Sequence, residues 1–170
     1  MEISDKGLEC IKQYEGLKLK AYPDPATGGR PWTIGYGHTK GIKKGDVITE
    51  QQAEIFLHDD LQPIYTILRQ WVKVPLNQSQ FDALCSFIFN CGSGNFLGST
   101  LLKKLNQGDY TGAAAEFSRW NKAAGKVMRG LDNRRASDAR CFYHETQFHL
   151  RCCYCIDYCF SRRFLIPLWL

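Results

Sequence analysis

Apolar and polar positions change period along the chain, and the changes mark its elements. Ile3, Leu8, Ile11 and Tyr14 recur at helical spacing, and Gly16 is placed to end that helix. A first helix therefore closes near Glu15. "LKLKAY" then alternates Leu17, Leu19 and Ala21 with Lys18, Lys20 and Tyr22, the period of a half-buried strand. "PDPATGGRP" is turn chemistry throughout. "WTIGYGHT" predicts a second strand, thinned by Gly35 and Gly37, so the pair forms a hairpin. "KGIKKGDVI" predicts a short third strand.

From there the pattern is helical. Thr49 and Gln52 form a capping box before "AEIFLHDDL", and Pro63 is expected to break or kink that run. Asn77 or Ser79 caps "QFDALCSFIFN", where Phe81, Leu84, Cys85 and Ile88 share a face and Gly92 ends the helix. Ser99 or Thr100 starts "LLKKLNQ". Thr111 starts "GAAAEFSRWNKA", with Ala113, Ala114, Phe117 and Trp120 on one side. "RGLDNRRASDA" reads as the last helix. There is no internal repeat and no long linker. The predicted class is α+β: a small β-hairpin lobe of about residues 15–60 and a larger helical lobe of about 1–14 and 61–137.

After Asp138 the texture changes. Residues 138–170 are rich in cysteine and aromatics, lack a period, and carry no turn punctuation until Pro167. Of eight cysteines, Cys10, Cys85 and Cys91 sit in apolar helical surroundings and read as reduced core residues. Cys141, Cys152, Cys153, Cys155 and Cys159 fall in this last segment. With His144 and His149 they supply metal-ligand types, but without the paired C-x₂-C spacing of zinc modules, so no metal is assigned. The segment reads as a frameshifted or foreign C-terminus, loosely packed or disordered. A membrane-adhering role for "RRFLIPLWL" is the alternative.

Composition narrows the function classes. A chain of 170 residues with 44% hydrophobic residues can bury a real core as a soluble protein. The net charge of +5 favours a polyanionic partner. The basic residues are scattered, apart from short pairs such as Lys43-Lys44 and Arg134-Arg135, so nucleic acid is not the expected one. "MEISDKGLEC" has no apolar leader pattern, and no run approaches the roughly 18 apolar residues of a membrane span. Accumulation in the cytoplasm is therefore expected.

The chemistry concentrates near the hairpin. Glu15 lies in the last turn of the first helix, facing the negative end of its macrodipole, a setting that suits a proton-delivering group. Asp24 follows nine residues later in a turn, where solvent and hydrogen bonds suit a charged carboxylate. Two carboxyl groups in unlike environments fit glycoside hydrolysis. The hairpin can fold Asp24 and Thr33 toward the same cleft, with the Thr33 hydroxyl holding a water. Spacing alone leaves Glu15 and Asp24 readable as surface acids and His38 as a structural histidine. "GYGH" is no phosphate loop, since the third glycine and following helix are missing.

The combined pattern carries more. Glu15, Asp24 and "TIGYGHT" resemble the catalytic segment of phage-type lysozymes, the family 24 glycoside hydrolases, with lambdoid phage endolysins nearest. The resemblance continues through "PLNQSQFDALCSFIFNCGSG", "STLLKKLNQGDY", "AAAEFSRWNKAAG" and "RGLDNRRAS", covering about residues 3–137. It implies a lysozyme-like fold with the active-site cleft between the lobes. It also implies a muramidase that cuts the β-1,4 bond between N-acetylmuramic acid and N-acetylglucosamine in peptidoglycan and so lyses the host cell. By position, Glu15 would be the general acid, Asp24 the second carboxylate and Thr33 the holder of the water. An inverting course would place the carboxyls roughly 6.5–9.5 Å apart. His38 would brace the hairpin at the substrate site, and Phe89 and Asn90 would line the sugar cleft. No cofactor or metal is implied. A holin would release a monomeric enzyme from the host cytoplasm to periplasmic peptidoglycan, with no stable membrane span. The alternative is a catalytically impaired peptidoglycan-binding remnant with an aberrant C-terminus. The turn holding "ATGGRP" is about three residues longer than in the T-even phage lysozyme.

Overall fold

The computed structural model describes residues 1–24, 28–123 and 125–143. The sequence expectations for residues 144–170, including His144, His149 and the clustered cysteines, lie outside the described residues. Helix α1 spans Asp5–Glu15, and its N-cap Ser4 accepts from the Gly7 amide at 3.2 Å. Gly16 ends it at φ 70°, a conformation that favours glycine. Only two residues separate α1 from strand β1, Lys18–Pro23, so Glu15 stands where the helix turns into the hairpin.

Strand β2 is Trp32–Gly35, shorter than "WTIGYGHT" suggests. The reason is local. Ile34 and His38 exchange backbone hydrogen bonds at 2.9 Å each, closing a tight loop over Gly35, Tyr36 and Gly37. Gly35 and Gly37 take φ of 64° and 104°, which side-chain-bearing residues rarely adopt. The predicted third strand shrinks to a single bridge, Lys20 with Val47. Two flanking bonds support it, Ala21 N–H to Asp46 O at 2.9 Å and Ile48 N–H to Leu19 O at 3.0 Å. They occupy the free edge of β1.

Helix α2, Glu50–Trp71, carries the chain from the hairpin into the helical lobe over about 33 Å. Its Thr49–Gln52 capping box is formed. Pro63 does not break it. The proline ring is exposed, while Leu61, Ile64, Tyr65 and Leu68 are buried on either side of it. The loss of one backbone bond at the wet face is outweighed by burial of the other. Helix α3, Gln78–Cys91, is capped by Asn77 with Gln80, so Asn77 rather than Ser79 starts it. Residues 80–88 are all buried, which makes α3 the central helix of the lobe.

The rest of the lobe is α4 (Ser93–Leu97), α5 (Thr100–Asn106), α6 (Tyr110–Glu116), a 3₁₀ turn (Phe117–Trp120) and α7 (Arg129–Tyr143), whose apolar residues join those of α3 in one core. Ser99 caps α5. Helix α6 is capped by Asp109, not Thr111, because the Asp109 carboxylate accepts the Gly112 amide at 2.7 Å. The strands β3 (Lys122–Ala123) and β4 (Lys126–Val127) form a small second hairpin. Phe87 is the aromatic centre, with Phe117 at 5.3 Å and Trp120 at 5.4 Å, both edge-on. Helix α7 continues past Asp138 to Tyr143, with Phe142 buried against Phe117. The architecture is α+β, a small antiparallel hairpin region joined to a helical majority.

Candidate active site

Glu15 ends α1 with its side chain 23% exposed. Its Oε1 receives Arg134 Nη1 at 2.7 Å. Its Oε2 lies about one van der Waals contact from Gly37, since a Cβ built there would stand 4.0 Å from it. Glu15 is thus gripped from α7 on one side and faces the β2 loop on the other. Arg134 is itself fixed. Nη2 donates to Ser86 O at 3.3 Å, and the guanidinium lies 5.2 Å from the Tyr14 ring centre. Sequence reasoning saw Arg134 only as half of a basic pair inside "RGLDNRRAS". Its contact with Glu15 spans 119 residues, which no local pattern reports.

Strand register places Asp24 and Thr33 along the same hairpin. Tyr22 pairs with Thr33 and Pro23 with Trp32. The Asp24 amide donates to Pro31 O at 3.2 Å, extending the same register. Side chains alternate along a strand, so Tyr22, Asp24 and Thr33 share one face of the hairpin. A second bond, Asp24 N–H to Gly29 O at 3.1 Å, and one from Gly28 N–H to Asp24 O at 2.8 Å, fold the turn around it.

His38 is buried and braced within the protein. Nδ1 contacts the Asp60 carboxylate at 2.9 and 3.0 Å, and Nε2 contacts Lys40 O at 3.0 Å. The ring stacks on Phe56 at 4.4 Å. Its polar atoms therefore serve the β2 loop and its junction with α2. A second set of contacts lashes the same loop to α1 and α2. Lys12 Nζ reaches Glu54 at 2.8 Å, and Tyr36 OH donates to Glu54 at 3.4 Å.

Phe89 and Asn90, at the end of α3, face two different grooves. Gly37, Thr39, Lys40, Asp60, Pro63 and Phe89 line one of about 300 Å³ between the hairpin loop and the helices. Asn90, Asn95, Arg119, Trp120 and Lys122 line the other, about 450 Å³, against the second hairpin. The larger groove holds none of Glu15, Asp24 or Thr33. The smaller one reaches the chemistry, because Gly37 forms its wall and also faces Glu15. Among the described residues no cluster of three or more His, Cys, Asp or Glu is placed to hold a metal.

Comparison with known proteins adds to this geometry. The family described as Phage lysozyme matches residues 12–138. The chain is 53% identical over 146 residues to an endolysin of Acyrthosiphon pisum secondary endosymbiont phage 1, covering 84% of this chain and 98% of that one. It is 48% identical over 143 residues to an endolysin of Bacillus phage PZA, again over 84% of this chain but 55% of that longer protein. Among solved structures, a mutant of the lysozyme of Salmonella phage P22 superposes with a TM-score of 0.76 at 40% identity. That match covers 84% of this chain and 99% of the other.

Proposed function

The chain belongs to the phage lysozyme family, and from that premise we propose that Glu15, Asp24 and Thr33 form the centre with which it cuts peptidoglycan. The protein is a lysozyme-type glycoside hydrolase, an endolysin that acts on the bacterial cell wall. The bond cleaved is the β-1,4 link from N-acetylmuramic acid to N-acetylglucosamine. One observation carries the site reading. The Glu15 carboxyl is fixed by Arg134 on one oxygen and faces, on the other, the Gly37 wall of the groove that Phe89 lines.

In this reading Glu15 gives its proton to the glycosidic oxygen as the C–O bond breaks. Positive charge develops on the sugar ring, and Asp24 stabilises it from the hairpin. A water held by Thr33 adds to the anomeric carbon from the opposite face, and its proton passes to Asp24. The shared face of Asp24 and Thr33 supports this division of labour. It gives an inverting course, with roughly 6.5–9.5 Å between the carboxyl groups. His38 acts as a brace rather than a sugar contact, and Phe89 offers an aromatic wall to the sugar chain. Asn90 belongs to the neighbouring groove with Trp120, where an amide suits N-acetyl groups.

Among the described residues no helix is long and apolar enough to cross a membrane. The proposed route to the wall is release from the host cytoplasm through a holin-made opening, carried over from the resemblance to endolysins. Action as a monomer is part of the same proposal. The sequence boundary at residue 137 falls inside α7, whose Asp138 and Phe142 are buried, so the domain is read as running to the end of α7 at Tyr143, with the chain beyond it as an appended segment. The test is loss of turbidity in permeabilised Gram-negative cells. The wild type should clear them and Glu15→Gln should not. Clearing by Glu15→Gln at the wild-type rate would remove Glu15 from its role.

A further inference from the structure

The buried charge does not stop at Arg134. Helix α7 turns Arg134, Arg135 and Asp138 inward, at 3%, 0% and 2% exposure. Arg135 Nη2 faces Asp138 Oδ2 at 2.8 Å, yet the two atoms are not aligned as a hydrogen bond. Arg135 Nη1 donates to Cys91 Sγ at 2.8 Å, and its guanidinium lies 5.0 Å from the Phe87 ring centre. Arg134 Nε and Arg135 Nε have no acceptor among the described residues.

For stability alone this is a poor arrangement. Buried ion pairs with incomplete hydrogen bonding gain little over apolar side chains of similar size. Burial pushes the Asp138 carboxyl above the ordinary carboxylate range, opposed by Arg135, the nearby Ser86 hydroxyl and Arg134. The titratable thiols of Cys10, Cys91 and Cys141 also face it. The two guanidiniums are adjacent in sequence and repel one another. Glu15 pairs with Arg134 from the end of α1, while Asp138 pairs with Arg135 and lies one helical turn from Arg134, whose charge also acts on it. Arg135 in turn links Asp138 to Cys91, which lines the larger groove beside Asn90.

We propose that Asp138 is a positioning residue for glycan cleavage: its carboxylate shares the two buried guanidiniums with Glu15 and so sets how Arg134 holds the acid. The inference rests on Glu15 being that acid. Without the inner anion, both arginines are balanced by Glu15 alone. Arg134 then grips the Glu15 carboxylate harder, and proton delivery slows. A role confined to packing would lower stability without changing the rate of the folded enzyme.

The experiment uses the full chain and soluble peptidoglycan fragments, with kcat and KM followed across pH and folding followed by circular dichroism. In Asp138→Asn, kcat should fall by about tenfold with KM little changed. The alkaline limb of the rate profile should move to lower pH. Asp138→Glu should recover most of the rate. A folded Asp138→Asn with wild-type kcat and an unmoved profile overturns the proposal. If that variant does not fold, Arg135→Met leaves Arg134 balanced by both carboxylates, so its grip on Glu15 loosens and the alkaline limb should move to higher pH. A folded Arg135→Met with an unmoved profile overturns the proposal. Failure of the underlying reading is separate, because it would appear as activity in Glu15→Gln.

Discussion

Arg134 Nη1 stands 2.7 Å from Glu15 Oε1 and joins the last helix to the end of the first. The guanidinium side chain is 4% exposed and also donates to Ser86 O, so it has little freedom to follow a moving carboxylate. Arg134→Met keeps much of the volume but removes the fork. Lytic activity should fall by roughly 10- to 100-fold, because the acid loses its fixed orientation. Stability should fall by about 2–3 kcal/mol, at or below the range for breaking a buried pair, since Glu15 keeps some solvent. Turbidity assays well below the melting temperature, with denaturant titration alongside, separate the two effects.

Gly7 faces Asp82 across the α1–α3 contact. A Cβ at Gly7 would lie 2.7 Å from both Asp82 Cγ and Ile3 Cγ1. Asp82 cannot easily yield. It accepts from the Ser4 amide at 3.0 Å, from the Ser4 hydroxyl and from Gln78 Nε2 at 2.8 Å. Alanine would gain about 1 kcal/mol of helix propensity, but the overpacking costs more. Gly7→Ala should therefore be destabilised by about 1–2 kcal/mol net in a urea titration. A neutral or stabilised variant would show that Asp82 can move aside.

Much of the fold was legible because its signals are local. Thr49 with Gln52, Asn77 with Gln80, and Ser99 are helix starts that a reader can find within three residues. Gly16 and Gly92 end helices for an equally local reason. Pro63 misled, because its cost depends on which way the ring faces, and that is tertiary information. Asp109 displaced Thr111 as a cap for a similar reason: both residue types can cap, and the chain path decides. Helix α4 and the β3–β4 hairpin escaped notice, since elements of five and two residues carry no period. At the proposed site, Glu15 and Asp24 were singled out by the family resemblance, since spacing alone left them readable as surface acids. Arg134, Arg135 and Asp138 were not, because they lie on a helix whose polar residues point inward. Hydrophobic periodicity is blind to such a face.

His38 ties the loop between β2 and α2 to Asp60, Lys40 O and Phe56. His38→Ala should cost about 2–4 kcal/mol, combining lost ring packing with a partly buried Asp60 left without its partner. The Gly37 wall beside Glu15 belongs to the same loop, so catalysis should suffer as well. The check is a pair of measurements: the melting temperature, and the lytic rate of the fraction that remains folded. A folded variant with full activity would show that the loop holds its shape without this brace.

Glu116 gives the fold a pH-dependent tie. Its carboxylate, 8% exposed, receives Lys104 Nζ at 2.7 Å and lies 3.4 Å from Arg119 Nη1. The Lys104 hydrogen bond chiefly holds its pKa below the ordinary glutamate range, with burial opposing and the charges of Lys104 and Arg119 helping. A carboxyl with a depressed folded pKa adds stability that is present above its unfolded value. That contribution fades as pH falls through the folded one. Glu116→Gln should therefore be less stable than wild type by about 1 kcal/mol near pH 7, with Lys104 about one-third exposed and the pair partly screened. The gap should close as the solution is acidified below the ordinary glutamate range, since both proteins then carry a neutral side chain at this position. Urea titrations at a series of pH values would show it. A gap that stays constant from neutral to acid pH would mean that Glu116 acts through packing rather than through its charge.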